Sequence, residues 1–177
     1  MKFRSALAAY ICIALSGVQL AAAEQACGGA PSSLSIERFQ DNGDDTVTDM
    51  DSKLVWMRCA GGQQWREQRC AGTANAFAWA EAQRHAARVN QEGAAFYNDW
   101  RVPSLRELAT IADRACENPR TNLAVFPDTP AAPFWSSTTR AGKTEGERAL
   151  ALSFGSEGVM VAGKDERFHL RLVRTGP

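Results

Sequence analysis

One continuous segment combines a strand end, a rigid turn and a helix start, and it reads Asp99-Trp100-Arg101-Val102-Pro103-Ser104-Leu105-Arg106-Glu107-Leu108. Pro103 has a fixed φ and favours extended geometry at Val102. Ser104 and Glu107 have the S-x-x-E spacing of a capping box, in which each side chain accepts a hydrogen bond from the backbone N–H of the other residue. The segment therefore predicts that a helix begins directly after the end of a buried strand.

Residues 1–23 have the organisation of a secretion signal. Lys2 and Arg4 precede an apolar stretch over residues 6–20, and the three alanines at 21–23 form a small-residue cleavage site. A retained anchor is the alternative, but polar residues interrupt the apolar stretch. We therefore predict that the signal is removed, that the mature chain has no membrane span, and that the protein is periplasmic or secreted.

The charge and length of the chain exclude some partners. It contains 20 basic and 20 acidic residues, and because Lys2 and Arg4 leave with the signal, the mature chain is slightly acidic. No basic stripe accompanies its aromatic residues, which argues against nucleic acid as a partner. Residues 24–35 are predicted to form an N-terminal arm, and residues 36–177 to form one domain with its own core.

Four cysteines follow the signal, and an even number in a secreted chain predicts two disulfides. Cys59 and Cys70 enclose a polar loop and are expected to pair locally. Cys27, in the arm, is then expected to pair with Cys116. A zinc site is the alternative, but the chain has no C-x-x-C pair and its two histidines are far apart in sequence.

Hydrophobic periodicity and turn residues predict an α+β domain with two helices packed on a twisted, mostly antiparallel sheet, and with long loops. The apolar positions of the helices recur at spacings of three and four. The expected helices cover residues 75–90 and 104–115. The expected strands cover residues 36–39, 46–48, 53–57, 134–138, 149–154, 159–162 and 168–174.

An acidic turn separates the first two predicted strands. Asn42-Gly43 between extended runs is typical of a tight hairpin turn. The alternative is a calcium site, because hard cations prefer clustered oxygen ligands, although the spacing does not fit an EF-hand loop. The candidate calcium ligands are Asp41, Asp44, Asp45 and Asp49.

Trp65 is the main candidate for ligand binding. It lies in the polar loop between the paired cysteines, where no hydrophobic pattern accounts for it, together with Arg66 and Arg69. An aromatic ring among guanidinium groups is a plausible ligand surface, and the alternative is that Trp65 covers its own loop. The other four tryptophans fall in predicted strands and helices and are expected in the core: Trp56, Trp79, Trp100 and Trp135.

Arg101 is a further candidate ligand-binding residue, because its planar guanidinium could bind an anionic group. Pairing with an internal carboxylate is the favoured interpretation. Catalytic residues are not indicated. Ser136 offers a hydroxyl after Trp135, but the chain has no G-x-S-x-G motif and no histidine beside an Asp or Ser signature.

Several motifs, taken together and in order, resemble the Lcl C-terminal domain family, a bacterial domain of largely unknown function. The resemblance covers about residues 39–174. The motifs are Phe39…Asp41-Asn42-Gly43…Thr46-Val47-Thr48-Asp49, Leu54-Val55-Trp56, Trp79-Ala80-Glu81-Ala82, Asp99-Trp100-Arg101-Val102-Pro103…Glu107-Leu108, Phe134-Trp135-Ser136-Ser137 and Leu172-Val173-Arg174.

The resemblance implies a fold related to C-type-lectin-like domains and formylglycine-generating enzymes. The redox cysteine pair of those enzymes has no match here. Asp45 stands where the family often has glycine, so an aspartate is expected at a position of positive φ. The collagen-like adhesin that names the family is reported to bind sulfated glycans. That ligand is not implied for this chain, which has no collagen-like repeat and no strongly basic composition.

These observations favour a non-enzymatic module that binds a glycan or a cell-envelope or surface protein, in a setting such as adhesion. No cofactor is expected, with calcium as the alternative noted above. One functional alternative is a hydrolytic or oxidative envelope enzyme with a pocket near Arg101 and Trp135. Another is a structural subunit of a pilus or envelope assembly.

Overall fold

The structure is a computed structural model that describes Gln25, Cys27 and residues 34–140 and 148–176. The predicted signal, residues 1–23, lies outside the described residues, as does most of the predicted arm. In the part of the chain that is described, no helix has the length and apolar character needed to cross a membrane.

The described residues form an α+β domain of short strands and two α-helices. The helices are α1 (Trp79–Glu92) and α2 (Leu105–Ala109), and single turns of 3-10 helix occur at Ile36–Arg38 and Ala94–Phe96. The strands are β1 (Phe39–Asp41), β2 (Thr46–Asp49), β3 (Leu54–Met57), β4 (Gln64–Arg66), β5 (Arg69–Ala71), β6 (Pro133–Thr139), β7 (Arg148–Ser153), β8 (Val159–Gly163) and β9 (Val173–Thr175).

These strands form three antiparallel sheets rather than the single sheet that was expected. The first has the order β1-β2-β3-β9, the second is the β4–β5 hairpin, and the third has the order β6-β7-β8. The last strand, β9, pairs with β3, so the chain returns to its first sheet at its C-terminal end. The α+β class with antiparallel pairing is confirmed.

The first hairpin follows the sequence prediction. The N–H of Asn42 donates to the carbonyl of Thr46 at 3.2 Å, and Gly43 has a φ of 78°. Asp45 has a φ of 69°, as expected for an aspartate at a glycine-like position. Residues 36–38 are a 3-10 turn rather than the start of a strand, because the hydroxyl of Ser35 caps the turn.

The turn at Pro103 is built as the sequence indicates. The hydroxyl of Ser104 accepts from the N–H of Glu107, and the carboxylate of Glu107 accepts from the N–H of Ser104 at 2.7 Å. Helix α2 ends at Ala109, six residues before the predicted end at 115. The hydroxyl of Thr110 donates to the carbonyl of Glu107 at 2.7 Å, a local side-chain bond that competes with helix continuation.

The predicted closing strand over residues 168–174 is wrong in its first half. Phe168 and His169 make isolated bridges, and β9 begins at Val173. Arg171 interrupts the strand pattern because its side chain is buried rather than half-exposed. Its guanidinium donates to the carbonyls of Met57 and Arg58 and, at 2.7 Å, to the hydroxyl of Thr129.

Two apolar clusters and two disulfides hold the sheets and helices together. Trp56 lies in one cluster, and Trp100 and Trp135 lie in the other. Trp79 is half-buried at the start of α1, where its indole N–H donates to the carbonyl of Ser136. The disulfides join Cys27 to Cys116 and Cys59 to Cys70, which is the predicted pairing.

Candidate functional site

A cleft of about 600 Å³ lies between the β4–β5 hairpin, helix α1 and the end of β3. Trp65 and Arg66 come from the hairpin, and His85 and Glu92 come from the helix. Asp45, in the turn before β2, lines the same cleft. Residues from three separate parts of the sequence thus meet there.

The polar loop that was predicted between the paired cysteines is a hairpin that presents Trp65. Residues Glu67 and Gln68 form its tight turn with φ values of 50° and 61°. Trp65 is half-buried, and the guanidinium of Arg58 lies 4.9 Å from the centre of its ring. This cation–π contact holds the indole against the domain while Trp65 still lines the cleft.

Arg58 has its charge neutralised beside the cleft. One of its terminal nitrogens lies 2.6 Å from Oδ2 of Asp41, and its side chain is almost completely buried. Its Nε has no hydrogen-bond partner among the described residues. Asp41 is therefore the counter-ion of a buried arginine.

Asp45 combines backbone strain with an unsatisfied carboxylate. Its φ of 69° lies in the left-handed region, and its buried Oδ1 has no partner in the described part of the structure. Burial, together with the charge of Asp44, raises the pKa of Asp45 to about 6, and the charge of Arg58 offsets part of this effect.

His85 is held in one tautomer by its neighbour on the helix. The guanidinium of Arg88 lies 3.3 Å from Nδ1 of His85. Because arginine can only donate, Nδ1 accepts and the proton of the neutral ring is on Nε2. Burial, and then the charge of Arg88, lowers the pKa of His85, so the ring is neutral at pH 7.

Nε2 of His85 lies close to the floor of the cleft. Among the described residues, no acceptor is within hydrogen-bond distance of this nitrogen. A Cβ placed on Gly61 would lie 3.4 Å from it and 3.0 Å from Cε2 of Phe77. Glycine at 61 therefore lets the backbone pass under the His85 and Phe77 rings, and His85 offers an N–H without an internal acceptor.

Two of the four predicted ligand-binding residues lie elsewhere. Trp65 and Arg66 line the cleft, but Arg69 pairs with Asp128 at 3.1 Å. Both terminal nitrogens of Arg101 bind the carboxylate of Glu107, at 2.8 and 2.6 Å. The favoured interpretation of Arg101, an internal ion pair, is confirmed.

The structure does not gather the predicted calcium ligands. Asp49 binds Arg38 and the hydroxyl of Ser52, and Asp41 binds Arg58. The other two predicted ligands also have different surroundings. Asp44 accepts a hydrogen bond from the Thr46 hydroxyl, and Asp45 lines the cleft. Over residues 34–140 and 148–176, with Gln25 and Cys27, no group of three or more acidic, His or Cys side chains could hold a metal ion. The calcium interpretation thus lacks a ligand set there, because the aspartates serve arginines and turns.

Polar groups of Ser136, Trp135 and Asp99, near the position of the alternative enzymatic pocket, bond to other groups of the chain. The hydroxyl of Ser136 donates to the carbonyl of Leu150 at 2.6 Å, and the indole N–H of Trp135 donates to the carbonyl of Phe77. Asp99 pairs with Arg174 at 2.7 Å. These bonds engage the Ser136 hydroxyl, the Trp135 indole N–H and one carboxylate oxygen of Asp99.

The fold and the cleft define a disulfide-bonded α+β domain with an aromatic cleft beside its first helix. The family model of the Lcl C-terminal domain matches residues 45–174, and the chain belongs to this family. The match begins at Asp45 and includes both helices and the whole β4–β5 hairpin. A search of curated proteins finds no match.

Sequence reasoning missed His85 and Glu92 as cleft residues. The two histidines are considered above only as zinc ligands, and the residues that share the cleft with His85 are distant from it in sequence. A local signal does exist: Arg88 follows His85 by three residues on a predicted helix, a spacing that places the two side chains side by side.

Proposed function

We propose that this protein is a secreted or periplasmic, C-type-lectin-like module that binds a glycan in the cleft beside Trp65, without enzymatic activity. The observation that carries the proposal is the combination in one cleft of an aromatic ring with unpaired polar atoms of opposite kind. Asp45 offers an acceptor, and His85 offers a donor.

This combination suits the chemistry of sugars. The C–H face of a sugar ring is apolar and packs on an aromatic side chain, whereas its hydroxyls donate and accept hydrogen bonds. Ligand sites in general pair an apolar lining with a few placed polar groups. Gln63 and Gln64, which also line the cleft, add amide groups that can donate and accept.

The disulfides support a location outside the cytoplasm. Disulfides persist in oxidising compartments, and the Cys59–Cys70 bond closes the hairpin that carries Trp65. The C-type-lectin-like part of the proposal draws on the antiparallel sheets and on the long irregular connection over residues 110–132 between α2 and β6.

A cell-envelope protein is the second candidate partner, and one observation favours it. Phe96 is 95 % exposed and has a φ of 64°. A large apolar side chain held outward on a strained turn is a feature of interaction surfaces. Phe96 is not among the residues that line the cleft, so substitutions at Trp65 and at Phe96 test the two candidates apart.

The test is a glycan array probed with the mature protein, both disulfides intact, followed by calorimetric titration of the best oligosaccharide. We expect Trp65→Ala to weaken binding at least tenfold and Phe96→Ala to leave it unchanged, with both variants checked by thermal melting. Absence of binding to any glycan, or equal binding by Trp65→Ala, would overturn the proposal. Loss of binding to an envelope protein in Phe96→Ala alone would favour the second candidate.

A further inference from the structure

We infer that Asp45 sets the specificity of the cleft: its carboxylate selects an uncharged sugar that donates a hydroxyl, and it disfavours sulfated or carboxylated sugars. This inference rests on the proposed function for the place where the ligand binds. It goes further by naming the chemical class of the ligand and the side chain that discriminates.

The structural role of Asp45 does not require a carboxylate. Its backbone carbonyl accepts from the N–H of Arg58 at 3.0 Å, a bond that any residue would provide. The side chain adds a buried Oδ1 that has no partner in the described ranges of the chain, on a backbone with a φ of 69°. Glycine would relieve both features, so the aspartate is better explained by a ligand than by the fold.

Within the part of the chain that the structure describes, the carboxylate of Asp45 and Nε2 of His85 make no hydrogen bond, and together they suit a ligand that both donates and accepts. An ionised Asp45 only accepts, and the Nε2–H of neutral His85 only donates. Two hydroxyls of one sugar satisfy both, because a hydroxyl can play either role. An ammonium group would satisfy Asp45 alone, and a sulfate would satisfy His85 alone.

Charge in the cleft disfavours anionic sugars. Asp45 and Glu92 are both acidic, and Arg66 lies on the exposed hairpin with its guanidinium donating to Gln64. The nearest buried cation, Arg58, is already paired with Asp41 at 2.6 Å. Arg66 has no acidic partner among the described residues, but its side chain is exposed and solvent screens its charge. An anionic group placed against the partly desolvated Asp45 therefore meets stronger repulsion from that carboxylate than attraction from Arg66.

The ionisation of Asp45 supports this account and sets the conditions of the test. Burial raises its pKa to about 6, so the carboxyl is ionised at pH 7.5 and largely protonated at pH 5. Discrimination against anionic sugars should therefore be measured at pH 7.5.

The experiment uses the mature protein, with both disulfides, and pairs of oligosaccharides that differ in one charged group. Suitable pairs are N-acetyllactosamine with its singly sulfated form, and a galactose disaccharide with the disaccharide in which one galactose is replaced by galacturonate. In the pair that binds, we expect the neutral member to bind at least tenfold more tightly than the charged member. In Asp45→Asn, which tolerates a positive φ and removes the charge, we expect this ratio to fall below threefold.

Asp51→Asn is the matched control, because Asp51 is exposed and does not line the cleft. It should keep the ratio of the unmodified protein. Equal or tighter binding of the charged member, or a ratio that Asp45→Asn leaves unchanged, would overturn the inference while the proposed function stands. Absence of binding to every member would overturn the proposed function instead.

Discussion

The turn at Pro103 and the cleft at Asp45 use the same kinds of residue in opposite ways. At the turn, Arg101 binds both oxygens of Glu107, and the same carboxylate caps helix α2. In the cleft, the buried Oδ1 of Asp45 and the buried Nε of the adjacent Arg58 have no hydrogen-bond partner among the residues that the structure describes. The polar side chains at the Pro103 turn are thus hydrogen-bonded within the fold, and we call this turn the completed region. The cleft keeps polar groups that can bind a ligand.

The two carboxylates show the difference as opposite pKa changes. Hydrogen bonds from Arg101 are the main reason why the pKa of Glu107 falls to about 2, and the backbone N–H and hydroxyl of Ser104 lower it further. Burial raises the pKa of Asp45 to about 6. Ionised Glu107 therefore stabilises the folded state, whereas ionised Asp45 destabilises it. A residue that costs stability in this way points to binding rather than to architecture.

The largest expected effect comes from opening the hairpin that carries Trp65. Replacing Cys59 and Cys70 by serine removes a cross-link between residues 11 apart. The free energy of unfolding should fall by about 3 kcal/mol, chiefly because the unfolded chain becomes less constrained. Amide hydrogen exchange should accelerate in β4 and β5 and much less over residues 99–108, since the turn at Pro103 has its own bonds. Equal acceleration in both regions would show that the cleft and the turn are not independent.

The next effect tests the completed region. Glu107→Gln removes the charge that pairs with Arg101 and weakens the capping box, so the free energy of unfolding should fall by about 2 kcal/mol at pH 7. Glu117→Gln, at an exposed position, should change it by less than about 0.5 kcal/mol. Urea denaturation measures both, and glycan affinity should be unchanged in both. A weakened affinity in Glu107→Gln would mean that the turn contributes to the site.

The same variant has a predicted pH dependence. The folded pKa of Glu107 is depressed, so its contribution is fully present above its ordinary value of 4.5 and is lost as pH falls toward about 2. The difference in unfolding free energy between the unmodified protein and Glu107→Gln should therefore be constant from pH 5 to 7 and shrink below pH 4. A difference that does not change with pH would contradict the ion pair.

The completed region could be predicted from sequence because its partners are neighbours. Ser104 and Glu107 are three residues apart, and Arg101 is three residues before Ser104. Their hydrogen bonds therefore follow from local spacing. The Cys59–Cys70 disulfide and the Asn42-Gly43 hairpin were predictable for the same reason, because each joins residues a short distance apart along the chain. The Cys27–Cys116 disulfide spans 89 residues and was predictable only because these two cysteines remained once the local pair was assigned.

The cleft could not be predicted in this way. Asp45, Trp65 and His85 are each 20 residues from the next, and they come together only because the fold places the hairpin, α1 and the turn before β2 around one cleft. The burial of Arg171 was missed for a related reason. The alternation of apolar and polar residues placed its side chain outward, but the carbonyls that it binds lie at the end of β3, more than 100 residues earlier.

The smallest expected change in stability comes from comparing Asp45 with Asp128, two aspartates that both have a left-handed backbone conformation. Asp128 has a φ of 53°, but its two oxygens accept from Arg69 and from the N–H of Cys70. Replacing either aspartate by glycine relieves the backbone. Asp45→Gly should raise the free energy of unfolding by about 1 kcal/mol at pH 7.5, because no bond is lost, whereas Asp128→Gly should lower it.

The pH dependence separates the charge of Asp45 from its backbone strain. Since its folded pKa is raised, the carboxyl destabilises the folded state increasingly as pH rises from about 4 through 6. The gain in Asp45→Gly should therefore be greater at pH 7.5 than at pH 4, and urea denaturation at the two values measures it. A gain that is equal at both would assign the cost to the backbone alone. A loss of stability would mean that the carboxylate serves the fold after all, as the one at Asp128 does.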